Sequence, residues 1–384
     1  MGWKLSKHFV LAAGGTGGHM VPAAALAEEL TKRGHRVALV SDARGVRFPG
    51  LFDDIQTHVI PAGRFQVRKP LGWPGAIREM WRGRAMARQL YRTFKPAAVI
   101  GFGGYPALPA LLAAFVNHIP TAVHEQNAVL GRVNRLVAGR VDAIATSYDR
   151  TARLAAKYEG KTHLVGNPVR EAVLALRTRP YPLLEEDGIF RVLVTGGSQG
   201  ASILSRVVPD GLAMLPVTFR RRLQVTHQAR IEDIDAVRAK YAEHQIPAEL
   251  ATYLPDMPAQ LAWAHLVIAR AGASTIAELT VAGRPAILVP LPSATDDHQT
   301  ANAREITQAG GARTIPQGDF TAKELAKQMQ RLGLDPAALE NAAGRAKSVG
   351  RPNAVSDLAD LVESLDAPVA RLPVGVSRPK QAFA

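Results

Sequence analysis

Short unbroken apolar runs alternate with amphipathic stretches along most of the chain. Residues 7–13 (KHFVLAA) form such a run, and similar ones lie at 36–41, 97–101, 121–124, 142–145 and 162–165. An unbroken run predicts a strand buried on both faces, as in a parallel sheet covered by helices. An amphipathic helix is predicted over about 22–33, with further helical stretches between the later strands. The segment 178–188 (TRPYPLLEEDG) carries two prolines and three consecutive acids, and reads as a linker. A second series follows, with strands at 190–195 (FRVLVT), 223–226, 249–253, 265–269 and 285–289. Both series open with an apolar strand, a glycine-rich turn (GGTGGH at 14–19, GGSQGA at 196–201) and a helix. The expectation is an α/β protein of two Rossmann-like units, residues 1–167 and 168–352. A helix at 353–365 is placed to pack back on the first unit, and the aperiodic tail 367–384 reads as disordered.

Composition agrees with two folded units. A chain of 384 residues exceeds one ordinary core. Its 47% hydrophobic and 21% charged residues are those of a globular protein. The absence of cysteine excludes disulfides, thiolate metal sites and cysteine nucleophiles. No signal-peptide pattern opens the sequence, and no run reaches the roughly 18 apolar residues of a membrane span. The protein is therefore expected to stay on the side of the membrane where it is made.

Charge adds a direction. The net charge is +14, and up to Asn167 there are 23 Lys and Arg against 10 Asp and Glu, with 24 against 23 beyond. The excess sits almost wholly in the first unit and points to an anionic partner there, lipid surface or nucleic acid.

The two glycine turns are the first candidate chemistry. A strand, glycine turn and helix offer unpaired N–H groups and the positive end of a helix dipole to an anion. Neither turn is the dinucleotide fingerprint, and no Gly-Lys-Ser/Thr follows, which excludes a P-loop NTPase. The first turn, with Thr16, Gly17 and Gly18, ends in His19. A histidine there is kept neutral by the dipole and available as a base. The plainer alternative for it is a cap or a core contact.

Seven blocks in order carry a specific resemblance. They are GGTGGH (14–19), GFGGYPALPALLAA (101–114), HEQNAVLGRVNRL (124–136), GNPVR (166–170), TGGSQGA (195–201), ARAGASTIAEL (269–279) and the stretch from Asp297 through Gln299 to Asn302. Together they resemble the peptidoglycan N-acetylglucosaminyltransferases that convert lipid I to lipid II. The resemblance implies a GT-B fold, two Rossmann-like parallel-sheet domains facing across a cleft, and inversion at the sugar carbon with no metal and no cofactor. It implies UDP-N-acetylglucosamine as donor and lipid I at the anionic inner leaflet as acceptor. The enzyme would then be peripheral on the cytoplasmic face of the membrane, with other cell-wall synthesis proteins as further partners.

The resemblance also assigns roles. Glu278 would accept the ribose hydroxyls of UDP, beside Ala273, Ser274, Thr275, Ile276 and Ala277. Ser198 and Gln199 would hold the diphosphate, and the main chain of Leu254 the uracil. Arg170 would neutralise charge on departing UDP, or brace the domain junction. Gln299 would bind sugar hydroxyls, with Asn127 reaching the donor from the first domain. Gly103, Gly104 and Tyr105 would receive the acceptor's diphosphate. His19 is the candidate base and Glu125 the second choice. Asp296, Asp297 and His298 are adjacent on one loop and rarely converge on a metal, so both acids read as solvated or capping.

Between Arg64 and Lys95 stand nine basic residues (Arg64, Arg68, Lys69, Arg78, Arg82, Arg84, Arg88, Arg92 and Lys95) and one acid, Glu79. Phe65, Leu71, Trp73, Ile77, Met80, Trp81 and Met86 are interleaved with them. That mixture describes a helix lying on an anionic leaflet, or one packing its apolar residues inside the domain. No nucleic-acid motif accompanies it, so nucleic acid is not an expected partner. Two rivals stand beside the main reading: a GT-B transferase for another lipid such as diacylglycerol, and a non-catalytic nucleotide- or RNA-binding module.

Overall fold

The computed structural model describes residues 6–45, 51–63, 73–185, 187–197, 200–333 and 335–366. Ser198, Gln199, Arg64, Phe65, Arg68, Lys69, Leu71 and the tail 367–384 lie outside the described residues.

The first sheet has seven parallel strands: β1 (His8–Ala12), β2 (Arg36–Ser41), β3 (Gln56–Val59), β4 (Ala98–Gly101), β5 (Thr121–Glu125), β6 (Ala143–Thr146) and β7 (Thr162–Leu164), ordered 3-2-1-4-5-6-7. The second has six: β8 (Phe190–Thr195), β9 (Leu223–Gln228), β10 (Ala248–Ala251), β11 (Leu266–Ala269), β12 (Ala286–Leu288) and β13 (Ala312–Thr314), ordered 10-9-8-11-12-13. Both are α/β doubly wound sheets of the expected class. The strand order reverses between β1 and β4, and again between β8 and β11. At such a reversal the loops at the carboxyl ends of the strands open a crevice for a ligand.

The unbroken apolar runs have a direct cause. On β1, Phe9 and Leu11 enter the cluster with Met20 and Leu26 of helix Gly17–Lys32. Val10 and Ala12 enter the opposite cluster with Tyr91, Leu108 and Leu111. Side chains alternate between faces along a strand, so every position must be apolar when helices cover both. On β8, Phe190, Val192 and Val194 go to one core and Leu193 to the other. Each fully buried Leu or Phe contributes roughly 1.5–3 kcal/mol.

After β13 the chain forms two more helices on the second unit and then returns. Helix Ala354–Ser364 buries Leu358, Ala359 and Val362 in the same cluster as Leu11 and Leu26 of the first unit. Ion pairs hold the return: Arg33 with Asp360 at 2.6 Å and Lys7 with Asp366 at 3.1 Å.

Two strands were not foreseen. Gln56–Val59 is an edge strand, half-exposed throughout and without an apolar run. Ala312–Thr314 is three residues long and contains Arg313.

Candidate active site

The first-domain loops converge because they leave the same ends of neighbouring strands. After β1 the chain turns through Gly14 and Gly15, and Asp42 accepts the N–H of Gly15 at 3.2 Å. Thr16 is the N-cap of helix Gly17–Lys32, yet its hydroxyl makes no capping bond and the residue is exposed. The first-turn N–H groups of Gly17 and Gly18 lack intrahelical acceptors by position. After β4, Gly103 and Gly104 both adopt positive φ, +85° and +73°. A Cβ on Gly103 would stand 3.3 Å from Cε1 of His19, so the bare backbone lets the loop wrap the imidazole.

His19 is half-buried and its Nδ1 lies 3.0 Å from Oε1 of Gln126. Gln126 in turn directs Nε2 at the carbonyls of Phe102 and His124, both 3.1 Å away, and at Nδ1 of His124 at 3.0 Å. The far nitrogen of His124, Nε2, donates to the carbonyl of Gly166 at 2.9 Å. Complete burial pushes the His124 imidazole down to about 4, so it is neutral.

Glu125 is 2% exposed and accepts four donors. Oε1 takes the backbone and side-chain N–H of Asn127, both at 3.1 Å; Oε2 takes Gly131 N–H at 2.7 Å and Asn134 Nδ2 at 2.8 Å. The carboxylate folds its own loop and presents no oxygen free of a donor.

Asn127 reaches the second domain through Asn302. Its Oδ1 accepts from Asn302 Nδ2 at 3.1 Å, and Asn302 Oδ1 takes the N–H of Ala128 at 2.8 Å. Asn302 is fully buried. A second bridge runs from Asp296, which pairs with Arg135 and Arg153 of the first domain, each at 2.8 Å. Asp296 was expected to be solvated or capping; it is neither, because the domains meet where it stands. Asp297 accepts from the Thr300 hydroxyl at 2.7 Å as helix His298–Ala309 begins. Between the domains lies a cavity of about 240 Å³, lined among others by His19, Gly104, Tyr105, Glu125, Asn127 and Asp296.

On the second domain, helix Ala273–Ala282 follows β11 with Gly272 as an N-cap that brings no side-chain bond. Its first three residues, Ala273, Ser274 and Thr275, therefore offer N–H groups outward, while the Ile276 N–H already donates to the Gly272 carbonyl at 3.0 Å. The Ser274 hydroxyl is buried without a partner among the described residues. Glu278 lies within this helix rather than in the approach to it, just past Ala277. Burial raises its carboxyl above the usual range, and the Arg170 guanidinium opposes that shift. Arg170 Nε and one terminal nitrogen both donate to Oε1, at 3.2 and 2.8 Å.

Gln299 uses Oε1 to accept the Leu291 N–H at 2.9 Å. Leu254 buries its side chain in the core beside Leu261 and Ile276, on the loop after β10. The second glycine turn is braced by Gln228, which donates to the Gly197 carbonyl at 3.0 Å and accepts from Thr195 at 2.7 Å.

The basic helix runs from Trp73 to Phe94. It buries Ala76, Gly83, Ala87, Tyr91 and Phe94 on the sheet side, and Tyr91 donates to the Ala110 carbonyl at 3.0 Å. Its outer face exposes Trp73, Ile77, Trp81 and Met86 with Arg78, Arg82, Arg88 and Arg92. Trp81, 54% exposed, carries the Arg84 guanidinium over its ring at 4.6 Å. Met80 alone of the described residues of the apolar set leans toward the core. No described helix is long and apolar enough to cross a membrane.

Gln126, Asn134, Arg135, Arg153 and Asn302 were not singled out in the sequence as site residues. Gln126, Asn134, Arg135 and Asn302 sit inside the quoted blocks, which was the only signal for them, and Arg153 lies outside all of them.

Comparison with known proteins places this geometry. Residues 9–146 match the glycosyltransferase family 28 N-terminal domain, and residues 191–361 its C-terminal domain. The chain is 65% identical over 363 residues to the UDP-N-acetylglucosamine–N-acetylmuramyl-(pentapeptide) pyrophosphoryl-undecaprenol N-acetylglucosamine transferase of Novosphingobium aromaticivorans, covering 94% of this chain and 93% of that one. It is 62% identical over 358 residues to the protein of the same name from Zymomonas mobilis, covering 93% and 92%. The crystal structure of Acinetobacter baumannii MurG superposes with a TM-score of 0.74 at 30% identity, over 93% of this chain and 99% of that one.

Proposed function

That the chain belongs to glycosyltransferase family 28, and within it to the UDP-N-acetylglucosamine–N-acetylmuramyl-(pentapeptide) pyrophosphoryl-undecaprenol N-acetylglucosamine transferases, is the premise from which we propose how its cleft works. The enzyme transfers N-acetylglucosamine from UDP-N-acetylglucosamine to lipid I, forming lipid II. The observation that carries the mechanism is the interdomain cavity, where His19 and the Gly103–Tyr105 loop face residues Thr295, Asp296 and His298 of the other domain.

In this reading the acceptor's C4 hydroxyl attacks the anomeric carbon as its proton passes to His19 Nε2. The new C–O bond forms as the bond to the β-phosphate oxygen breaks, and UDP leaves with the electron pair. Attack opposite the leaving group inverts the configuration. Arg170, the first turn of helix Ala273–Ala282, and Ser198 and Gln199 meet the charge on the diphosphate, so the step is assigned no metal. Glu278 Oε2 takes the ribose, the Leu254 main chain the uracil, and Gln299 Nε2 the sugar hydroxyls. The Thr16–Gly18 turn and the Gly103–Tyr105 loop receive the acceptor's diphosphate. Glu125, with both oxygens already committed, positions the Asn127 loop rather than taking the proton.

Residues 1–167 with the returning helix handle the acceptor, and 168–352 the donor. The outer face of helix Trp73–Phe94 rests on the anionic cytoplasmic leaflet, where each Lys or Arg contributes on the order of 1 kcal/mol.

The test is transfer of radiolabelled N-acetylglucosamine from the UDP donor to a lipid I analogue in EDTA, comparing wild type with His19→Ala. A kcat loss of about 10²–10⁴-fold is expected. Full turnover by the variant moves the proton to another group, and loss of wild-type turnover in EDTA overturns the metal-free reading.

A further inference from the structure

We propose that Gln126 and His124 are positioning residues that hold His19 in the one neutral tautomer able to act as a base, with the proton on Nδ1 and Nε2 bare. The proposal rests on the reading of His19 as the base for its catalytic meaning, but the tautomer itself follows from hydrogen-bond direction alone.

A carbonyl oxygen can only accept, and that fixes each group in turn. The Gln126 amide has one end among three acceptor sites: Phe102 O, His124 O and His124 Nδ1, all within 3.1 Å. Two of these are carbonyls, so that end is the NH2 group and the other end is the oxygen. The oxygen lies 3.0 Å from His19 Nδ1. Since Oε1 cannot donate, Nδ1 of His19 must carry hydrogen. His124 is fixed the same way from its far side. Its Nε2 faces the Gly166 carbonyl at 2.9 Å and must carry hydrogen, which leaves Nδ1 bare to accept from Gln126. His124 is fully buried and neutral, so no second proton appears on Nδ1 to repel the amide.

The hydrogen bonds thus run in one direction, His19 to Gln126 to His124 to Gly166, with main-chain carbonyls anchoring both the amide and the far end. When Nε2 takes a proton from the acceptor hydroxyl, Nδ1 still donates to Gln126, so the ring need not turn during the step. This is the role a buried carboxylate plays behind a catalytic histidine, filled here by a neutral amide that itself cannot be protonated. No described residue bonds Nε2 of His19, which lines the cavity.

The experiment is nitrogen-15 NMR of histidine side chains in the full-length enzyme, with the His19 signals assigned by their loss in His19→Gln. It is read beside steady-state kinetics of Gln126→Leu and Gln126→Glu. The expected spectrum of the neutral ring has Nδ1 protonated and Nε2 bare. Gln126→Leu is expected to lose that tautomer and to lower kcat by about 10²-fold with KM for the donor nearly unchanged. Gln126→Glu keeps an oxygen opposite Nδ1 but sets its other oxygen against the Phe102 and His124 carbonyls, so it is expected to keep the tautomer while recovering the rate only in part. A wild-type His19 protonated on Nε2 overturns the proposal outright, whether or not a variant folds. So does a Gln126→Leu enzyme with wild-type tautomer and wild-type kcat. If the tautomer is as assigned and shifts in Gln126→Leu while His19→Ala turns over normally, the positioning stands and the choice of base falls.

Discussion

Arg170 and Glu278 meet through a single carboxylate oxygen: two guanidinium nitrogens donate to Oε1, and Oε2 accepts from no described residue. The pair lies 108 positions apart in sequence and joins the domain junction to the donor helix. One oxygen is thereby neutralised while the other remains for a ligand hydroxyl.

Arg170→Ala leaves the Glu278 carboxyl buried and without its counter-charge. A loss of about 2 kcal/mol in urea-denaturation stability is expected, below that of a fully buried pair because Arg170 is 31% exposed. Because burial already raises the Glu278 carboxyl, removing the opposing guanidinium raises it further. The folded state then binds the proton more tightly than the unfolded one, so the variant's stability should fall as pH rises through that range.

Glu278→Gln keeps the shape but weakens the acceptor for the ribose. KM for UDP-N-acetylglucosamine should rise by about 10-fold or more, with a smaller change in kcat, in initial-rate measurements.

Gly103→Ala should slow the enzyme without unfolding it. The φ of +85° costs an alanine roughly 1–2 kcal/mol, and its methyl would press on Cε1 of His19 at 3.3 Å. Displacing the imidazole is expected to lower kcat by roughly 10- to 100-fold. Thermal denaturation separates that from loss of fold.

Acid should destabilise the protein well before carboxylates titrate fully. Burial pushes His124 and His227 each down to about 4 from an ordinary value of 6.5. Between those values the unfolded chain binds protons that the folded one does not. Stability is therefore full above pH 6.5 and declines as pH falls toward 4, with a slope approaching about 1.4 kcal/mol per pH unit for each group. Denaturation curves at stepped pH check this, and His227→Gln should reduce the slope.

The double variant Trp73→Ser/Trp81→Ser removes two exposed rings from the basic helix. Its stability should fall by no more than about 1 kcal/mol, with the Arg84 contact on Trp81 part of that loss. Binding to vesicles containing phosphatidylserine should weaken at least about tenfold, and residual binding should fade with added salt. Sedimentation with vesicles measures both.

Legibility in the sequence followed range. Buried strands such as Phe190–Thr195 announce themselves because both faces must be apolar, whereas the edge strand Gln56–Val59 has no such demand placed on it. The glycine turns and His19 were visible because an anion site built from backbone needs local sequence. What Gln126 does was not visible: its partners are Phe102, 24 residues upstream, and His19, 107 upstream. Asp296 looked like a loop acid because its arginines stand far before it in the chain, Arg135 by 161 positions, and Arg153 also belongs to the first domain. The outward face of helix Trp73–Phe94 was open until its neighbours were known, since Ile77 and Trp81 share helical spacing with core positions.

The main chain passes between the two sheets twice, once after Gly166 and once before Ala354. The passes touch: a Cβ at Gly166 would fall 2.8 Å from Cβ of Arg351 and 3.0 Å from Cβ of Ala354. Two crossings of the chain meeting at one spot tether the two halves there, so relative motion of the halves is expected to be least beside Gly166. His124 is moored to the carbonyl of that same glycine, so the far end of the hydrogen-bond chain behind His19 is anchored at the tether between the two halves.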